Sequence, residues 1–178
     1  MRRMGMVCCT ERGTTKDTLS CCRIVLRVLI KLNGWDRPIL VITSEFAPSD
    51  GAIEWARNLC LSDKYKEHVV IYMTHSYMKC SGFCDNALIQ RENYPLTKKE
   101  GNNSGQQIWE KLVSQVPNLR LVLCGHHAHG ADKDGNDKYE GSIGWRADKN
   151  NAGETVYQML YDTQTLGGGW EGNGGDGW

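Results

Sequence analysis

The stretch that decides the fold is LRLVLCGHHAHG, residues 119–130. Its first part, Leu119–Cys124, is a short apolar run of the kind that forms a strand buried in a sheet. The run ends at Gly125, and His126, His127 and His129 follow within four positions. These are three of the chain's five histidines. In an open α/β sheet, ligands bind in the crevice beyond the carboxyl ends of the strands. A buried strand that runs directly into histidines therefore marks a candidate binding edge.

Upstream, Val69–Met73 is a second β-rich apolar run, and Thr74-His75 follows it directly. His75 thus stands in the same relation to its strand as His126 does to the later one. Adjacent strands would bring the two imidazoles to the same sheet edge, within a domain radius of about 13–15 Å. Imidazole is a common ligand for borderline divalent metals, so a metal site is the functional expectation, with a merely solvated histidine loop as the competing one. His68 precedes its strand at the opposite end and reads as structural.

The remaining elements follow from periodicity. Ile39–Thr43 is a compact β-branched strand. Pro48-Ser49-Asp50 signals a helix start, with Ile53, Ala56, Leu59 and Cys60 at helical spacing. Residues 76–103 form a long polar connection, which in a compact domain is usually functional or disordered. Ser104-Gly105-Gln106-Gln107 is a capping-box pattern, opening a helix that runs through Ile108, Leu112 and Val116 to Pro117. After the strand Leu119–Cys124 and Gly125-His126, a polar loop is expected to about Gly153. Thr155–Tyr161 alternates, with Thr155, Tyr157, Met159 and Tyr161 on one face and Val156, Gln158 and Leu160 on the other. Strand, helix, strand, helix, strand implies an α/β layer of mostly parallel buried strands with flanking helices. Residues 1–35 are left unassigned. Within them Ile24, Val25, Val28, Leu29 and Leu32 have the spacing of a short helix face.

Bulk properties exclude several classes. The 178 residues carry 21 basic and 21 acidic side chains, so net charge gives no nucleic-acid patch and no polybasic membrane contact. The apolar run 24–32 is interrupted by Arg27 and Lys31 and is far too short to span a membrane. With no signal peptide in the chain, a cytoplasmic location is the default expectation. The eight cysteines form no zinc-ribbon spacing. Reduced, unligated thiols are expected, with a disulfide among the loop cysteines as the competitor. Asp132–Asp137 hints at a calcium loop but lacks Gly at the sixth position and Glu at the twelfth.

Four elements in order carry a family resemblance: ILVITSEFAPSDGAIEWARNLC, VIYMTHSY, PNLRLVLCGHHAHG and ETVYQMLYDTQTLGGGWEGNGGDGW. Together they resemble the second half of calcineurin-like metallophosphoesterases, over about Pro38 to Trp178. The resemblance implies that residues 36–178 are the C-terminal half of a layered α/β sandwich. It also implies a metal-dependent phosphoester hydrolase acting on a monoester or diester. The family holds two divalent ions (Mn, Fe, Zn or Mg), of which this chain would hold one weakly. By motif, His75 and His126 match histidine ligands of a single metal. At the family's next histidine, strict alignment places Ala128, and a one-residue slip places His129. The family's Asp-x-His, its bridging Gly-Asp and its proton-donating Gly-Asn-His occur nowhere in the sequence. The chain is therefore expected to be incomplete, with a non-catalytic remnant that binds a partner or a metal as the alternative. Substrate and oligomeric state are not legible.

Overall fold

The computed structural model describes residues 26–30, 36–79, 86–91, 102–127 and 142–162. They build one six-stranded sheet, a two-stranded ribbon and two α-helices. In chain order the elements are β1 (Leu26–Ile30), β2 (Ile39–Thr43), α1 (Asp50–Leu61), β3 (Val69–Met73), β4 (Met78–Lys79) and β5 (Ala87–Leu88). They continue with α2 (Gly105–Lys111), a 3₁₀ turn (Val113–Gln115), β6 (Leu119–Cys124), β7 (Ser142–Lys149) and β8 (Thr155–Asp162). The large sheet runs β1-β2-β3-β6-β8-β7. Its four central strands, β2, β3, β6 and β8, are mutually parallel, and β1 and β7 close the two sides antiparallel. The fold is mixed α/β with a mostly parallel sheet.

The helices start where their side chains dictate. Ser49 caps α1, its hydroxyl accepting from the Ala52 amide at 3.3 Å. At α2 the capping box is complete: Ser104 accepts from the Gln107 amide, and the Gln107 side chain accepts from the Ser104 amide. Each such cap satisfies a backbone donor that the first helical turn leaves unpaired. Both helices pack on the same sheet face. Ile53, Ala56, Cys60, Ile108 and Leu112 form one buried cluster with Leu40, Ile42, Val70, Tyr72, Val122 and Leu160.

Among the described residues, no helix packs on the opposite face. Ile143 is 65% exposed, Trp145 64% and Tyr157 54%, and Met73, Met159 and Tyr161 stand beside them in the open. A concavity of about 450 Å³ lies on this face, lined by Val69, Ile71, Leu121, Trp145, Tyr157 and Met159. Neither His75 nor His126 lines it.

Three expectations are corrected. The helix expected around 24–32 is strand β1 at Leu26–Ile30, whose backbone pairs antiparallel with β2 from Leu26↔Thr43 to Ile30↔Ile39. The loop expected before Gly153 contains the eight-residue strand β7. Its inward positions Gly144, Arg146 and Asp148 are not apolar, so the sequence shows no strand signal there. The 76–103 connection is partly core: Tyr77, Met78, Leu88 and Ile89 are buried around the β4–β5 ribbon. Cys60 and Cys124 are free and buried. The other six cysteines, the calcium-like loop and the tail after Asp162 lie outside the described residues. No helix among the described residues is long and apolar enough to cross a membrane.

Candidate functional site

Three adjacent parallel strands deliver their following loops to one edge. Past the strand ends the ladder is extended by amide bonds: Ser44 N to Met73 O, Thr74 N to Leu123 O, and Gly125 N to His75 O, all 3.0–3.1 Å. These bonds tie residues 44–47, 74–77 and 125–127 into one rim. The Ser44 hydroxyl sits 2.5 Å from the Tyr72 hydroxyl, and Thr74 Oγ1 donates to the Glu45 carbonyl at 3.4 Å. Burial pushes the Tyr72 phenol up to about 12, so it stays protonated as a hydrogen-bonding group.

On this rim His75 and His126 meet. His126 Nδ1 and His75 Nε2 are 3.1 Å apart, so one ring donates to the other. The ring centroids are 4.8 Å apart. Phe46, from the loop after β2, packs against both imidazoles, at 5.3 Å from His75 and 4.7 Å from His126. His127 stands edge-on to His126 at 5.0 Å. His75 is exposed, and His126 is half-buried. His126 adopts φ 71°, in the left-handed region. That conformation is uncommon for non-glycine residues, and such outliers cluster at functional sites.

The spacing can be tested against a metal. Two nitrogens each about 2.1 Å from one ion lie about 3.0 Å apart in cis octahedral positions and about 3.4 Å apart in tetrahedral ones. The observed 3.1 Å falls in that interval and is also an ordinary hydrogen-bond length. Among the described residues, no group of three His, Cys, Asp or Glu side chains could hold a metal ion.

The sequence expectation that His75 and His126 share an edge is met by this geometry. His129 lies outside the described residues. His68 is at the other end of β3, its carbonyl accepting from Asn118 and Arg37. Sequence reasoning missed Phe46, although Phe46 follows β2 much as His75 follows β3. It also passed over Asp162, a buried carboxylate at the end of β8, two residues beyond the Leu160 that pairs with Cys124. In comparisons with known proteins, no family model, curated protein or solved structure matches the chain.

Proposed function

We propose that this chain is the C-terminal half of a calcineurin-like, metal-dependent phosphoester hydrolase, in which His75 and His126 hold one divalent cation. The observation that carries the reading is their 3.1 Å approach at the carboxyl ends of adjacent parallel strands. Such a cation, bound with an open position, polarises a phosphoryl oxygen and lowers the pKa of a bound water. The chain's own part is to supply two neutral imidazoles, hold them by rim hydrogen bonds, and cover one side of them with Phe46. The bare apolar face also supports a layered domain lacking a layer, because parallel sheets are normally covered on both sides.

The alternative is a non-catalytic module that binds a partner through this face. The exposed Trp145, Tyr157 and Ile143 favour it, as does the lack of a third metal ligand among the described residues. Hydrolysis of chromogenic phosphomonoesters and diesters with added manganese separates the two. The 178-residue chain should be nearly inactive alone. Fusion to a half carrying Asp-x-His, the bridging Gly-Asp and Gly-Asn-His should restore turnover. In that fusion His75→Ala and His126→Ala should each remove most activity, and His127→Ala little. A loss in His129→Ala equal to that of His126→Ala places His129 in the metal shell. A silent His126→Ala overturns the hydrolase reading.

A further inference from the structure

Two residues after His75, the side chain of Tyr77 enters the covered core and heads a line of polar contacts that crosses it. Its hydroxyl donates to Gln158 Oε1 at 2.6 Å, and both residues are fully buried. Gln158 Nε2 donates to Asp148 Oδ2 at 2.5 Å. The Asp148 carboxylate accepts twice from Arg146, at 2.6 and 2.9 Å. Arg146 Nη1 then donates to the Asn86 carbonyl, and the Trp145 amide donates to Asn86 Oδ1. The line runs from the loop that bears His75 to the outermost strand of the sheet.

The backbone of Tyr77 is fixed just as firmly. Its carbonyl accepts from the Ile89 amide at 3.0 Å, and a Cβ at Gly105 would lie 1.9 Å from that oxygen. Exposed His75 is thus followed by three buried residues, Ser76, Tyr77 and Met78. Phenylalanine at position 77 would fill nearly the same space without a polar group to desolvate. Buried polar lines that are fully bonded add directional rigidity that an apolar core lacks.

From this geometry we infer that Tyr77 is a positioning residue, holding the His75 imidazole against His126 and Phe46 through Gln158 and the Asp148–Arg146 pair. The role it would serve rests on the metal reading, but its test does not. In the full chain, ring-proton NOEs between Phe46 and both imidazoles report the arrangement with no metal present. Tyr77→Phe should weaken the Phe46–His75 contact while core contacts such as Leu40–Val70 persist, and should lower Co²⁺ affinity about tenfold, the usual scale for losing a residue that orients a ligand. A stability loss alone would not distinguish positioning from packing. The Tyr77→Phe/Gln158→Leu double variant resolves this, because replacing both hydrogen-bond partners by apolar groups is close to neutral, while Asp148 keeps its two bonds from Arg146. It should fold like wild type, and it carries the test if the single variant does not fold. In it the Phe46–His75 contact should stay weak. Failure of the wild-type chain to bind Co²⁺ would defeat the metal reading and leave the ring contacts to decide the positioning. Wild-type ring contacts in the stable double variant overturn it.

Discussion

On one face of the central sheet, Leu40, Ile42, Val70, Tyr72, Val122 and Leu160 are sealed in a core with α1 and α2. On the other, Met73, Ile143, Trp145, Tyr157, Met159 and Tyr161 remain exposed. Strand β8 shows the contrast within eight residues: Val156, Gln158 and Leu160 are buried, and Tyr157, Met159 and Tyr161 are not. In a sheet meant to face water, the outward positions would be polar. Here the outward positions are as apolar as the inward ones. The sheet therefore carries apolar side chains on both faces, and among the described residues the helices cover only one of them.

Unfolding in urea should separate the two faces most widely. Ile108→Ala, under the helices, should cost about 2–5 kcal/mol from lost burial and a cavity. Met159→Ala, on the bare face, should stay within about 0.5 kcal/mol. A Met159→Ala loss of several kcal/mol would mean that the face is covered in solution. Next in size, Gly105→Ala should destabilise by about 3 kcal/mol, because its methyl collides with the Tyr77 carbonyl. A neutral result would show that α2 is not held tightly on the covered side.

Smaller effects sharpen the picture at the edge of the covered core. The Arg146 guanidinium holds the Asp148 carboxyl below its ordinary range, and Gln158 assists. A carboxylate depressed in the folded state stabilises at pH values above its unfolded pKa and loses that contribution as pH falls through the folded one. Wild type should therefore lose stability on acidification below about pH 4. Asp148→Asn should be less stable near neutrality, by about 1–2 kcal/mol, and should show a flatter acid limb. An identical acid limb in the variant would remove Asp148 from the account. The mildest expectation concerns the thiols. Burial pushes Cys60 and Cys124 up to about 12, so both should resist alkylation at pH 8 until the protein unfolds. Rapid native-state labelling of Cys60 would show that the covered face opens readily.

The parallel core was legible because β2, β3, β6 and β8 are apolar or alternate cleanly, and because Ser49 and Ser104 announce their helices. Strand β7 was not legible, because its inward face carries Gly144, Arg146 and Asp148; Arg146 is bonded to Asn86 and Asp148 to Gln158 rather than packed among apolar side chains. Strand β1 was not legible because Ile24, Val25, Val28, Leu29 and Leu32 also match a helical spacing, and only pairing with β2 decides between the two. The histidine pair was readable from its placement after two strands. Phe46 was not, since an aromatic after a strand carries no chemical signature until its neighbours are known.

Joint binding of one cation by His75 and His126, as proposed above, is open to Co²⁺ titration of the full chain followed by visible absorption. Neutral imidazoles are needed as ligands, so the titration belongs at pH 7.5 or above. One ion per chain is expected, with His75→Ala and His126→Ala each weakening binding at least about tenfold and His127→Ala leaving it nearly unchanged. Unchanged Co²⁺ binding by the His75→Ala/His126→Ala double variant would contradict the claim.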